Sequence, residues 1–131
     1  MKRILVVLMA LMISSAAVAL AGDDAAKAKE AKAAPTTLTG EVVDLYCYMQ
    51  HPETAVGTDH AKCATACIGK GMPVGFLTSD GTLYVITGKD HEPANTVVTE
   101  WIGKKSMVTG HVKEAKGMKS IELVSIGEAK S

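Results

Sequence analysis

The sequence predicts a mainly β domain of five antiparallel strands with short helices. Five short runs of β-forming residues are separated by segments that contain turn residues. The runs cover residues 38–46, 74–78, 82–87, 105–112 and 120–126. Between the second and third runs, the Asp80-Gly81 step is a strong hairpin signal. Gly40, in the first run, is typical of a bend or a bulge.

One short helix is predicted between the third and fourth strands. Asn95 offers an N-cap, and Gly103 can end the helix in a left-handed conformation. The apolar residues between them recur at helical spacing, and they are Val97, Val98, Trp101 and Ile102. Trp101 is therefore predicted to lie in the core. We expect His91, in a polar loop, to be exposed and His111, on a strand, to face the surface.

The N-terminus has the pattern of a bacterial signal peptide over residues 1–21. Lys2 and Arg3 form a short basic region, and an apolar run is followed by the small-x-small cleavage signal of residues 19–21. The apolar run is too short for a membrane anchor of about 20 residues. We therefore expect cleavage near Ala21 and a periplasmic or secreted protein without a membrane anchor.

The remainder of the chain is predicted to form a linker and one domain. Residues 22–36 are rich in alanine, lysine and acidic residues and have no apolar face, which predicts a flexible linker. Residues 37–127 are the predicted domain, and their number suits a single core. Within it, residues 47–73 form an insertion that carries all three cysteines.

The charge of the expected mature chain argues against nucleic acid as a partner. Without Lys2 and Arg3 the chain has 12 lysines, no arginine and 14 acidic residues, a net charge near −2. Proteins that bind nucleic acid usually carry a clustered basic face, and those that bind single strands add stacking aromatic residues. After the cysteine insertion this chain offers only Phe76, Tyr84 and Trp101.

The order of the predicted elements resembles that of the small secreted bacterial OB-fold proteins over residues 37–126. Three short motifs also match, and they are Asp80-Gly81, Gly103-Lys104-Lys105 and Val108-Thr109-Gly110. The resemblance implies a five-stranded Greek-key barrel that binds ligands, with the first loop beside the binding face. In this chain the cysteine insertion takes the place of that loop. The alternative fold is a two-layer α+β sandwich.

A second helix is predicted inside the insertion, over residues 58–68. Thr58 or Asp59 can serve as its N-cap, and glycine and proline residues follow its end. Three side chains fall at positions i, i+3 and i+7 on one face of this helix, and they are His60, Cys63 and Cys67. We expect this face to point towards Cys47 at the end of the first strand.

This arrangement predicts a metal site. Thiolates and imidazole are preferred ligands of Zn²⁺ and Cu⁺, and three cysteines with one histidine complete a tetrahedral zinc site. The predicted ligands are Cys47, Cys63, Cys67 and His60, and the lesser candidates are Met72, His51 and Met49. The lesser candidates shift the preference towards Cu⁺. Asp44 is able to orient a ligand histidine, although a solvent-facing carboxylate is the simpler interpretation.

A structural disulfide is the main alternative, because exported domains of this size often contain one. Residues four apart on a helix have Cβ atoms about 5–6 Å apart, whereas a disulfide needs about 3.5–4.5 Å. A bridge between Cys63 and Cys67 is therefore strained. Cys47 would pair with Cys63 or with Cys67, and one thiol would remain free.

Other chemistry of these cysteines is less well supported by the sequence. A thiol redox protein normally has a C-x-x-C motif at the start of a helix, and haem attachment needs C-x-x-C-H. Neither motif is present, and no nucleotide-binding glycine loop occurs. The spacing of Cys63, Cys67 and Met72 is similar to part of the copper loop of cytochrome-oxidase-type cupredoxins. The histidine expected before the methionine is absent, so electron transfer is not inferred.

Taken together, these patterns favour a periplasmic binding protein that holds copper or zinc in a Cys/His site. Its role would be metal handling, or the metal would stabilise a binding module. The alternative is a disulfide-stapled module that binds a periplasmic protein or a small ligand without metal. The sequence shows no nucleophile paired with a general base, so nothing in it points to an enzyme.

Overall fold

The computed structural model describes residues 34–130, which contain five strands and three α-helices. The strands are β1 (Thr36–Asp44), β2 (Val74–Thr78), β3 (Leu83–Thr87), β4 (Lys105–Ala115) and β5 (Met118–Glu128). The α-helices are α1 (Leu45–Gln50), α2 (Gly57–Gly69) and α3 (Asn95–Val98). Short 3₁₀ turns cover Lys89–His91 and Thr99–Trp101. The prediction of a mainly β fold with short helices is confirmed.

The predicted signal peptide, residues 1–21, lies outside the described residues. Most of the predicted linker, residues 22–36, lies outside them as well. The predicted domain start at residue 37 falls one residue after the start of β1.

The five strands pair in a closed cycle, in the order β1-β2-β3-β5-β4 and back to β1. The β2–β3 pair is the hairpin predicted from Asp80-Gly81, and Gly81 has a φ of +84° in its turn. The β4–β5 hairpin is longer than predicted, because its turn at Lys116 and Gly117 joins strands of 11 residues each. Both of these turn residues have positive φ, as hairpin turns require.

The expectation that all five strands are antiparallel is wrong for one pair. β3 and β5 run parallel, with Val85 opposite Ser120. In a closed cycle, neighbouring strands can all alternate in direction only when the number of strands is even. Five is odd, so at least one pair must be parallel. The single strand between β3 and β5 in the chain, β4, runs in the opposite direction to both of them. β3 and β5 therefore point the same way.

The core lies inside the closed sheet and under the helices that cover it. Its largest fully buried side chains include Phe76 and Ile121 from the sheet and Ile68 from α2. Between residues 34 and 130, twelve buried residues form one continuous cluster, to which α2 also contributes Ala64. Trp101, predicted to be core, is partly buried and packs against this cluster. The cluster therefore joins the cysteine insertion to the sheet.

The first strand ends earlier than the sequence predicts. Residues 45 and 46 were expected to continue the strand, but they begin α1. The side chain of Asp44 accepts a hydrogen bond from the backbone N–H of Cys47 at 2.8 Å, which is the geometry of an N-cap. Cys47 therefore lies on a short helix and not at the end of a strand.

The region of α3 also differs from its prediction in detail. Asn95 is not an N-cap, because its amide donates to the carbonyl oxygens of Ile68 and Met72 at 3.0 and 2.9 Å. It thereby satisfies one carbonyl group in the last turn of α2 and one in the segment that follows the helix. Gly103 has the predicted left-handed conformation, with a φ of +70°. His91 is exposed as predicted, whereas His111 is buried and not on the surface.

Gly40 lies where β1 pairs with two strands, opposite Thr78 of β2 and Ser106 of β4. A Cβ atom at this position would be 2.1 Å from the backbone carbonyl oxygen of Leu77. The glycine is therefore required for a close approach of two strands.

We expect Gly40→Ala to lower the free energy of unfolding by about 1–3 kcal/mol, because the new methyl group forces β1 and β2 apart. Gly127→Ala is the matched control, since a Cβ atom there meets nothing within 4 Å. Urea unfolding of both variants in reductant measures the difference. Equal stability of Gly40→Ala and the wild type would contradict the close approach.

Candidate metal centre

Asp44 positions the first cysteine of the centre. It is the last residue of β1, and its side chain is completely buried. One carboxyl oxygen caps α1 through the N–H of Cys47, and α1 is further fixed by a 3.0 Å hydrogen bond from the N–H of Leu45 to the carbonyl of Pro73. Cys47 is therefore held where β1, α1 and the segment after α2 meet.

Helix α2 carries the other predicted ligands. It spans Gly57–Gly69, so the predicted helix is confirmed, but neither Thr58 nor Asp59 is its N-cap. The N-cap position is Val56, and the N–H of Gly57 instead donates to the side chain of Glu41 on β1 at 2.8 Å. Long-range contact with β1 thus replaces the local cap that the sequence suggested.

The packing of α2 decides which way its cysteines face. Ala64 and Ile68 are buried in the core. Cys63 and Cys67 each directly precede one of these residues, so they lie at the edge of the buried face. Cys63 is exposed and Cys67 is half-buried. The two cysteines therefore reach Cys47 without entering the core.

The three cysteines converge as predicted. The Sγ atom of Cys47 lies 4.0 Å from that of Cys63 and 3.9 Å from that of Cys67. These distances are too long for a disulfide, which needs about 2.05 Å, and all three cysteines are free. Cys47 is the central thiol of the three.

Two groups of potential ligand atoms within the described residues share Cys47. One group contains Cys47, His60 and Cys63, and the other contains Asp44, Cys47 and Cys67. In each group the ligand atoms lie within 4.8 Å of one another. The Cys/His cluster of Cys47, His60, Cys63 and Cys67 could therefore hold a metal ion.

His60 contacts the same buried carboxyl group that caps α1. Its Nε2 atom lies 3.1 Å from Oδ2 of Asp44. With the proton on Nε2, His60 donates to Asp44, and Nδ1 keeps its lone pair for a metal. The simpler interpretation of Asp44 as a solvent-facing carboxylate is therefore wrong, and its role in orienting a histidine agrees with the geometry.

Sequence reasoning missed Asp44 as a member of the cluster itself. Its signal was present, because an aspartate three residues before Cys47 at the end of a strand is typical of a helix N-cap. An apolar alternation that continued to Tyr46 hid this signal, since it favoured a longer strand.

The lesser candidates are less closely associated with the thiols. Met49 is 69% exposed on α1. His51 follows α1, is exposed and belongs to neither ligand group. Met72 is half-buried just after α2, and its N–H donates to the carbonyl of Cys67 at 3.1 Å.

Burial first, and then hydrogen bonding to Asp44 and Cys67, raise the pKa of the Cys47 thiol from 9.0 to about 12. The free thiol is therefore protonated at neutral pH and must release its proton to bind a metal. Thiol redox catalysis needs a thiolate. In metal-free Cys47 the thiolate is a minor form at neutral pH, so this thiol attacks a disulfide slowly.

Comparisons with protein-family models, curated proteins and solved structures found no match to the chain. The assignment of the metal site therefore depends on the geometry of its residues. Between residues 34 and 130, no helix has the length and the apolar character needed to cross a membrane.

We expect Asp44→Ala to destabilise the metal-free protein by about 1–3 kcal/mol, because it removes the cap of α1 and the partner of His60. Asp44→Asn retains one acceptor and should cost less. Asp59→Ala, an exposed aspartate in the first turn of α2, is the control and should change stability by about 0.5 kcal/mol or less. Urea unfolding measures all three, and equal effects of Asp44→Ala and Asp59→Ala would contradict this role.

The raised pKa of Cys47 predicts a stability that falls in alkaline solution. The unfolded thiol loses its proton near pH 9, whereas the folded thiol keeps its proton until about pH 12. Between these pH values the folded state therefore binds more protons than the unfolded state. The stabilisation that the protonated Cys47 thiol provides is lost as the pH rises. Unfolding of metal-free protein in reductant at pH 8 and pH 10 should show a smaller pH dependence for Cys47→Ser. An unchanged dependence would refute the shift.

Proposed function

We propose that this protein is an exported binding protein that holds one soft metal ion, Cu⁺ or Zn²⁺, through Cys47, Cys63, Cys67 and His60. The observation that carries the proposal is the position of the Cys47 sulfur, 4.0 Å and 3.9 Å from the sulfurs of two other free cysteines. Three thiols this close form a soft donor set, which selects Cu⁺ or Zn²⁺ over harder cations.

The sulfur distances suit a shared metal. For metal–sulfur bonds of about 2.3 Å, two sulfurs of a tetrahedral site lie about 3.8 Å apart, and two sulfurs of a trigonal site lie about 4.0 Å apart. Cys47 has both of its sulfur neighbours within this range. The sulfurs of Cys63 and Cys67 belong to different ligand groups, so they would have to come closer for all three to bind one ion.

His60 supports a fourth position in the site. Its contact with the buried Asp44 carboxyl group fixes the ring and frees the other nitrogen. A carboxylate behind a ligand histidine holds the tautomer and increases its basicity. With His60, the set is three sulfurs and one nitrogen, which suits tetrahedral Zn²⁺. Without it, the three sulfurs suit trigonal Cu⁺.

The packing supports metal handling over a purely structural metal. The core cluster is built from the sheet, α2 and α3, and none of the three cysteines belongs to it. Small metal-dependent domains lack such a core and unfold without their metal. In addition, the exposed Cys63 gives a second ligand from solvent direct access to the bound ion.

The closed strand order supports the proposal that the domain is an OB-fold barrel. Five strands form one cycle, and the helical segment α3 lies between β3 and β4. The cysteine helices α1 and α2 lie between β1 and β2, where the first loop of an OB-fold borders its binding face. In an OB-fold barrel, the proposed metal centre would therefore border the binding face.

We expect the reduced protein to bind one Zn²⁺ or Cu⁺ per chain. Cys47→Ser should lower the affinity most, because Cys47 belongs to both ligand groups. Cys63→Ser and Cys67→Ser should each weaken binding by at least about tenfold. The control is His91→Ala, which removes an exposed histidine outside both groups.

Competition with a chromophoric chelator measures these affinities, and circular dichroism verifies that each variant is folded. Binding that survives Cys47→Ser unchanged, or that is lost in His91→Ala, would contradict the proposed ligand set.

Export is proposed from the signal-peptide pattern, and it is tested separately. Expressed in a bacterium with its full N-terminus, the chain should accumulate in the periplasm with Gly22 as its first residue. A chain that starts at Gly22 without residues 1–21 is the control and should remain in the cytoplasm. Intact residues 1–21 on the accumulated protein would contradict cleavage near Ala21.

A further inference from the structure

We propose that thiol oxidation controls this centre. An external disulfide oxidises the centre, and Cys47 becomes bonded to either Cys63 or Cys67. This disulfide removes two ligands and releases the metal. The inference rests on the proposed metal site and adds its regulation, with a small-molecule or protein disulfide as the reaction partner.

Cys47 is placed to bond with either neighbour. Its sulfur lies nearly equally far from the two thiols of α2, at 4.0 and 3.9 Å. Each pair must approach by about 2 Å to form a disulfide. Cys63 and Cys67 are four residues apart on a helix, so a bridge between them is strained. Every unstrained disulfide in this centre therefore includes Cys47.

The required movement falls on α1. This helix has six residues and no buried side chain. Helix α2, in contrast, is anchored by Ala64 and Ile68 in the core and by the amide of Asn95 at its C-terminal end. Rotation of the Cys47 side chain, together with a small shift of α1, brings the sulfurs together and leaves intact the core cluster, which contains no α1 residue. The centre can thus close into a disulfide without unfolding the domain.

Exposure determines the order of the steps. Cys63 is the exposed thiol, so its sulfur attacks the external disulfide. The external S–S bond breaks, a mixed disulfide forms at Cys63, and the first external thiol takes its proton from Cys63, or from solvent when Cys63 starts as a metal-bound thiolate. The sulfur of Cys47 then attacks the sulfur of Cys63, loses its proton and displaces the second external thiol. Two protein thiols are oxidised by two electrons, and one external disulfide is reduced to two thiols.

The remaining donors do not replace the lost ligands. When Cys47 and Cys63 are joined, Cys67 and His60 remain, and no ligand group among the described residues contains both of them. The thiol of Cys67 can also attack the Cys47 sulfur, which moves the disulfide to Cys47–Cys67 and frees Cys63. In that isomer one thiolate, Cys63, and one imidazole, His60, remain, and no other cysteine is left to complete the site. Metal binding and the disulfide are therefore mutually exclusive.

The first test uses the mature wild-type chain loaded with Zn²⁺ and treated with glutathione disulfide. A chromophoric chelator follows released zinc, and intact mass follows the protein. We expect close to one zinc per chain to be released, together with the loss of two hydrogens from the protein mass. Dithiothreitol and added zinc should restore the original state. Zinc that stays bound after the disulfide has formed would overturn the inference.

The second test uses metal-free variants, so that its result does not depend on metal binding. The Cys63→Ser protein should form a disulfide between Cys47 and Cys67, and the Cys67→Ser protein should form one between Cys47 and Cys63. Peptide mapping identifies each disulfide. Cys47→Ser should form none and should accumulate a glutathione adduct at Cys63. A Cys63–Cys67 disulfide that forms in Cys47→Ser as fast as the wild-type disulfide would overturn the role of Cys47.

The outcomes separate the inference from the function on which it rests. If the reduced wild-type protein binds neither Zn²⁺ nor Cu⁺, the proposed function fails, and the inference fails with it. If the reduced protein binds zinc but glutathione disulfide neither joins Cys47 to a neighbour nor releases the ion, only the inference fails.

Discussion

The buried carboxyl group of Asp44 is the interaction on which the rest of the centre depends. One oxygen ends β1 and starts α1 by accepting the N–H of Cys47, and the other contacts His60 of α2. The side chain is completely buried, so losing either partner would leave a polar group without water or protein to satisfy it. A single residue therefore connects the sheet to both helices of the cysteine insertion.

One face of helix α2 packs into the core, and the cysteines lie beside that face. Ala64 and Ile68 pack into the core cluster, while Cys63 and Cys67 sit beside them and reach towards Cys47. The core stabilises the domain through burial of apolar surface and does not include the thiols. Their geometry is consequently free to serve ligand exchange. Under the proposed regulation, the same separation would let the thiols change partners or redox state while the core stays intact.

Local signals predicted much of this molecule, and contacts between distant residues account for what they missed. Asp80-Gly81 identified its hairpin, and the helical spacing within residues 58–68 identified the cysteine face, because both depend on neighbouring residues. The parallel β3–β5 pair follows from closing an odd number of strands. Asn95 satisfies the carbonyl group of Ile68 in α2, 27 residues away, and that of Met72 after the helix, 23 residues away. The burial of His111 likewise depends on the closed sheet, which no short pattern reveals.

Cys47, Cys63 and Cys67 are proposed to bind one soft metal ion. The most direct measurement is X-ray absorption spectroscopy at the metal edge of protein loaded with Zn²⁺ or Cu⁺ under reducing conditions. The proposed centre predicts a first shell dominated by sulfur at about 2.3 Å, with the imidazole of His60 as a nitrogen ligand of zinc. The Cys47→Ser protein should lose one sulfur from this shell or fail to bind. A shell made only of oxygen and nitrogen, unchanged by Cys47→Ser, would contradict the centre.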